Sequence, residues 1–284
     1  MQDRLKIALL LAPALAVIFV LFFGGLAVGL LRSFNYMPVI GLTEPNLDAY
    51  KSLLTPAVLR SLGLTFYIAA TSTVIATLLA VATALQLRRS FPGRSMAGIL
   101  VQLNLTIPHL VGAIGILYLF SQAGSFARLA HDFALIAKPA DFPALVFDPY
   151  AIGVILTYVW KEVPFITVIT LATLQALGDD HETIARTLGA TRWQAFRHVL
   201  LPQIMPGVLA ASAIVFAFTF GAYEIPALLG ASHPQTLPVM AYRSFTDVDL
   251  AARPQAMALA MLIALVSAVM IAVYTRALRG KGRG

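Results

Sequence analysis

Four ionisable side chains stand inside long apolar runs of this chain: His109, Lys161, Glu162 and Glu224. A charge at mid-bilayer costs about 2.5–3.5 kcal/mol on insertion scales, so such groups face protein or a wet cavity. The chemistry open to them is mutual neutralisation, recognition of a polar solute, or an ion relay. Lys161 and Glu162 are adjacent in sequence, and successive helical residues point about 100° apart. One of the two is therefore expected to meet another helix, with Glu224 a candidate partner. Glu224 lies between Tyr223 and Pro226, and Pro226 should free a backbone carbonyl near Ala222. A broken helix beside an acid can line a solute or ion site. Asn104, Pro108, His109 and Gly112 cluster in a third run, where Pro108 and Gly112 predict a kink and a close helix crossing. The candidate pathway residues are thus Asn104, His109, Lys161, Glu162, Tyr223 and Glu224. The two acids lean toward a polyamine-like or other small charged solute, and Lys161 pulls the other way. No HExxH, no GxSxG and no pair of aspartates occurs within these runs, so no catalytic residue and no metal site is expected.

The elements that hold these groups are membrane spans. The chain has 284 residues, 59% of them hydrophobic and 12% charged. Soluble domains carry about 25% charge, so neither a soluble domain nor a disordered chain fits. The absence of cysteine excludes disulfide frameworks and thiolate metal sites. About 20 apolar residues cross a bilayer as a helix. Six stretches meet that length, at about 7–31, 61–87, 95–120, 150–177, 203–229 and 254–275, with a connecting loop at about 178–202. The reading is an all-α, polytopic, six-span protein forming a single domain over 1–284. The first run is longer than a signal-peptide core, and Ala14-Leu15-Ala16 lies inside it, so a retained anchor is expected. In span one, Gly24, Gly25 and Gly29 are expected to serve close packing. Lys and Arg number twelve on the side holding both termini and seven on the other, which places both termini in the cytoplasm. That bias accounts for the net charge of +7 without nucleic acid. The tail from Arg279 to Gly284 is expected to meet lipid headgroups or water.

The loop after span four carries its own pattern. Asp179 and Asp180 suit a helix N-terminus. Ile184, Ala185 and Leu188 share one face, Gly189 ends the helix, and Trp193, Phe196 and Leu200 share the face of a second. Pro202 stops or bends that second helix. Two short amphipathic helices around a glycine corner are expected, with the corner open to a partner. His181-Glu182 begins an HExxH string, but Ala185 stands where the second histidine would be, so a zinc site is rejected. Helix–turn–helix DNA binding does not suit a six-span chain.

This stretch resembles the cytoplasmic signature loop of permease subunits of binding-protein-dependent ABC importers, of the type I fold. That pattern runs Glu-Ala-Ala, three residues, Gly, nine residues, an aliphatic, one residue, Leu-Pro. Here Gly189, Val199, Leu201 and Pro202 hold the spacing, while Thr183 and Ile184 occupy the first two positions and Glu182 sits one residue early. Pro206-Gly207 and the segment Gly221 to Gly230 look closest to the branch serving polyamines, sulfate, iron, thiamine and phosphonates. The resemblance implies coupling through Glu182, Ala185, Arg186, Leu188, Gly189, Ala190, Trp193 and Phe196. It also implies a cytoplasmic ABC ATPase dimer, a second identical or homologous permease, and an extracytoplasmic binding protein in a bacterial inner membrane. Beyond surrounding lipid, no nucleic acid or other partner is implied. No GxxxxGK[ST] loop occurs here, so ATP and magnesium would sit on the partner and this chain would bind no cofactor. The alternatives are an ion-coupled carrier using Glu162 and Glu224 as relay, a membrane-embedded enzyme, and a structural scaffold.

Overall fold

Apolar runs of this length satisfy their backbone only as helices, and helices are what the computed structural model shows. It describes residues 2–178 and 180–281. The N-terminal-acid role expected of Asp179 and the tail positions Gly282, Arg283 and Gly284 lie outside the described residues. Among the described residues, six helices or helical runs are long and apolar enough to cross a membrane: Leu9–Ser33, Pro56–Arg88, His109–Asp132, Ile152–Leu177, Arg192–Gly221 and Leu250–Arg276. Among the described residues there is no strand, only one isolated bridge between Met37 and Leu42.

In chain order the α-helices begin with α1 (Gln2–Ile18), a π-helical turn at Phe19–Phe23 and α2 (Gly24–Ser33). Then come α3 (Asp48–Lys51), α4 (Pro56–Arg88), α5 (Arg94–Thr106), α6 (His109–Phe120) and α7 (Ser125–Asp132). The loop expected between spans four and five follows α8 (Ile152–Leu177) and contains α9 (Asp180–Thr187) and α10 (Arg192–Ala195). The last are α11 (Leu201–Gly221), α12 (Glu224–Leu229), α13 (Leu237–Phe245) and α14 (Arg253–Lys281).

Two expected helices are interrupted, one directly before a proline and the other four residues before one. The stretch expected as one span over 95–120 breaks at Ile107 and Pro108. Proline forces its predecessor out of the helical region, and Ile107 is extended (φ −77°, ψ 124°). The stretch over 203–229 stops at Gly221, with Ala222 extended (ψ 136°), and restarts as α12. Ala222 is the residue whose carbonyl loses its donor to Pro226.

The chain divides into two compact units. The first comprises 1–59 and 237–265. Within it, a methyl at Gly29 would lie 3.4 Å from Met261, whereas Gly24 and Gly25 have nothing within 4 Å. Of the three glycines expected to serve close packing, only Gly29 approaches another element among the described residues. Ser33 is buried, donates to the Leu30 carbonyl and shares a 2.8 Å hydrogen bond with Tyr50.

The second unit comprises 60–236 and 266–284. Its core forms three layers along the spans. Ile68, Ala113, Val154, Tyr158, Ile225 and Leu229 make the first. Ala76, Ala80, Ile166, Ala211 and Val215 make the second, and Ala84, Leu174, Ile204 and Val208 the third. Ala69, Ala76, Ala80 and Ala84 are spaced by seven and four and wholly buried, a stripe that lets other spans approach the α4 backbone closely. Thr77 and Ser212 add a 2.8 Å hydrogen bond between α4 and α11.

Candidate functional site

The corner at Gly189 is built by local rules. α9 ends in a pair of backbone bonds, Gly189 N–H to the Arg186 carbonyl at 3.1 Å and Ala190 N–H to the Ala185 carbonyl at 3.0 Å. This is the Schellman pattern, which needs a left-handed residue at the position of Gly189. Gly189 has φ +92°, and no atom lies within 4 Å of where its Cβ would be, so glycine is required by conformation and not by space. Thr191 then caps α10 reciprocally, its hydroxyl accepting from Gln194 N–H at 3.3 Å and the Gln194 side chain accepting from Thr191 N–H at 2.8 Å. Leu188, at the tip, is 83% exposed, and Ile184 and Trp193 are exposed beside it. The Trp193 ring packs at a tilt against Phe196, with centroids 5.5 Å apart. Ala185 and Ala190 are half-buried and Arg186 is exposed. The expected face of Trp193, Phe196 and Leu200 is split, because Leu200 is buried where a π-helical turn (Phe196–Leu200) leads into α11.

Glu182, expected to serve coupling, is held by an arginine of this chain. Its carboxylate accepts from Arg88 Nη1 at 2.9 Å, and Arg88 Nη2 donates to the Gly178 carbonyl at 3.0 Å. The Arg88 side chain is only 11% exposed. One guanidinium thus ties the start of α9, the end of α8 and the end of α4 together. Arg88 was not among the residues singled out from the sequence. An arginine closing a span is common, and nothing local marks this one.

The polar layer in the spans follows from prolines. In a regular helix each carbonyl accepts from the N–H four residues later, and proline has none. Pro108 therefore leaves the Asn104 carbonyl without its donor, and Pro164 leaves that of Trp160. Lys161 Nζ donates to the Asn104 and Ile107 carbonyls, both at 2.6 Å. Asn104 Nδ2 donates to the Trp160 carbonyl at 2.6 Å. α5 and α8 thus repair each other's broken ladders. Gly112 makes room for this, since a Cβ there would sit 2.6 Å from the Trp160 ring. Lys161 and Glu162 are 4% and 6% exposed. Glu162 lies 3.4 Å from His109 Nε2, and the His109 ring packs on Phe218 at 4.9 Å.

Of the six pathway candidates, the structure brings Asn104, His109, Lys161 and Glu162 together on α5, α6 and α8. Glu224 is not the partner of Lys161 or Glu162 in any hydrogen bond or ion pair among the described residues. It is exposed at the N-terminus of α12, and Tyr223 beside it is half-buried. Among the described residues no three His, Asp or Glu side chains converge as metal ligands.

Three comparisons place this geometry among known proteins. The family described as the binding-protein-dependent transport system inner membrane component matches residues 72–280. The molybdenum transport system permease protein ModB of Mycobacterium bovis is 30% identical over 225 residues, covering 77% of this chain and 79% of that protein. The sulfate transport system permease protein CysT of Salmonella typhimurium is 27% identical over 184 residues, covering 65% of this chain and 63% of that protein. Among solved structures, a bacterial ABC transporter involved in the import of the acidic polysaccharide alginate superposes with a TM-score of 0.80. It is 19% identical and covers 98% of each chain, a likeness of fold.

Proposed function

The chain belongs to the family of binding-protein-dependent transport system inner membrane components, and from that premise we propose that it carries a small oxyanion inward, driven by an ATPase that docks at the Gly189 corner. It is a multi-pass membrane permease subunit of an ABC importer, without a catalytic role of its own. The observation that carries the docking assignment is the corner itself: a rigidly capped turn that presents Leu188 almost fully to the outside. An exposed leucine on an exactingly held glycine turn suits insertion into an apolar groove.

In this reading the partner ATPase holds ATP and magnesium. A second permease completes the pathway, a binding protein delivers the solute at the outer face, and both termini lie in the cytoplasm. The Arg88–Glu182 pair makes α9 move with α4 and α8 when the ATPase closes. His109 with Glu162, and Glu224 with Tyr223, are the groups proposed to face the pathway, while Asn104 and Lys161 set the break that shapes it.

The solute assignment follows the relatives, whose names give molybdenum and sulfate transport. It replaces the polyamine-like lean drawn from Glu162 and Glu224. The ion-coupled carrier reading is likewise unsupported by family or relatives. The test is uptake into proteoliposomes holding the complete importer with its binding protein. ATP-dependent entry of labelled molybdate or sulfate, with none of spermidine, is expected. Entry of spermidine alone would reverse the solute assignment.

A further inference from the structure

Beneath the ends of α4 and α5 lies a cleft of about 880 Å³ shared with α9 and α10. Five arginines line it: Arg88, Arg89, Arg94, Arg186 and Arg192. Glu182 is the one acid there among the described residues. Glu182 is engaged by Arg88, and Arg94 Nε is engaged by the Leu87 carbonyl at 2.8 Å. Arg89, Arg186 and Arg192 have no carboxylate partner among the described residues. Among the described residues the cleft therefore concentrates positive charge, with three arginines that no carboxylate engages.

The apolar part of its wall decides what kind of anion fits. Leu85 lies one turn inside α4, within a membrane-crossing segment, and Leu200 leads into α11, within another. Phe196 and Trp193 continue the wall outward. A cleft with leucines at the depth of the span and arginines where the span ends matches a molecule with an acyl chain and an anionic head. Basic pockets between spans at the cytoplasmic interface bind such headgroups, and each arginine near an anionic surface contributes about 1 kcal/mol. Leu85, set within the span, is placed to meet an acyl chain in the bilayer.

We propose that this cleft is a binding site for the phosphate headgroup of an acidic phospholipid, seated between the α4–α5 turn and the coupling loop. The side of the membrane, and so the leaflet, rests on the function proposed above. The binding itself does not. Because the headgroup would share Arg88 with Glu182, its occupancy would bias how firmly α9 is held to α4.

The test uses the complete importer in nanodiscs of phosphatidylcholine alone or with phosphatidylglycerol, and native mass spectrometry of complexes released from them. Retained phosphatidylglycerol is expected on the wild type. A loss of about fivefold for Arg89→Gln and about 25-fold for Arg89→Gln with Arg192→Gln follows from the per-arginine contribution. Equal retention in wild type and double variant would overturn the site. Full displacement by millimolar inorganic phosphate, with no dependence on acyl chain, would overturn the lipid assignment in favour of a free anion. Loss of the ATPase from the double variant with lipid retention intact would show that these arginines serve protein docking, and would also overturn it. A wild-type complex that holds the lipid but never an ATPase would count against the function proposed above and leave this site standing.

Discussion

The Gly189 corner and the layer around Lys161 both place backbone groups where regular structure cannot satisfy them, and they do so by opposite means. At the corner, the unsatisfied groups of a helix end are met within the ten residues 185–194, by the Schellman bonds and the Thr191–Gln194 box. In the layer, the carbonyls orphaned by Pro108 and Pro164 are met across more than 50 residues, by Lys161 and Asn104. Local repair leaves the outer surface of the corner free for a partner. Long-range repair uses up the very side chains that look most available for chemistry.

The comparison breaks most visibly at Gly189. Gly189→Asp should leave the protein in the membrane, because no atom crowds the site and the strain at φ +92° falls on an exposed turn outside the packed core. Transport should be nearly abolished, because a charge beside Leu188 opposes docking. Normal uptake at normal abundance would show that the corner is not a docking point.

Lys161→Met should act on stability, the reverse pattern. It takes the Lys161 donor from the Ile107 carbonyl and leaves the Asn104 carbonyl with only the Ile107 N–H at 3.3 Å, at about 1–3 kcal/mol in all. The thermal midpoint in detergent should fall and folded yield with it, while the surviving protein keeps its coupling. A variant that folds normally but changes solute affinity would make Lys161 a pathway group.

The Arg88–Glu182 pair joins the two styles, since it is a long-range contact at the locally built loop. It is part exposed, so the pair should contribute about 0.5–1 kcal/mol to stability. Arg88→Gln and Glu182→Gln should each raise ATP hydrolysis that is unproductive for transport, and the double variant should be no worse than either alone. Additive losses would mean that the two residues act separately. The smallest effect is expected at Glu224, which is exposed and unpaired among the described residues. Glu224→Gln should shift the solute concentration for half-maximal uptake while abundance stays unchanged. Equal loss of both would mark it as structural.

These differences explain what could be read from the sequence. Six spans were legible because length and apolarity alone set them. The corner was legible because Gly189 ends α9 by a rule that acts within a few residues, while the Thr191–Gln194 cap that completes it was not singled out from the sequence. The breaks at Ile107 and Ala222 were signalled by Pro108 and Pro226, though the first was expected only as a kink. The partners of Lys161 and Glu182 were not legible. Both are settled by which carbonyl or guanidinium the packing of α4, α5 and α8 brings near, and no spacing rule in the chain encodes that.

The central claim is that Leu188 on the Gly189 corner meets an ATP-hydrolysing partner. It is tested most directly by placing a photo-crosslinker at Leu188 in intact membranes and identifying the captured chain. One ATPase chain captured per permease is expected, with yield dropping sharply in Gly189→Asp. An ATPase that co-purifies with the permease but is captured only from positions outside residues 180–196 would contradict it.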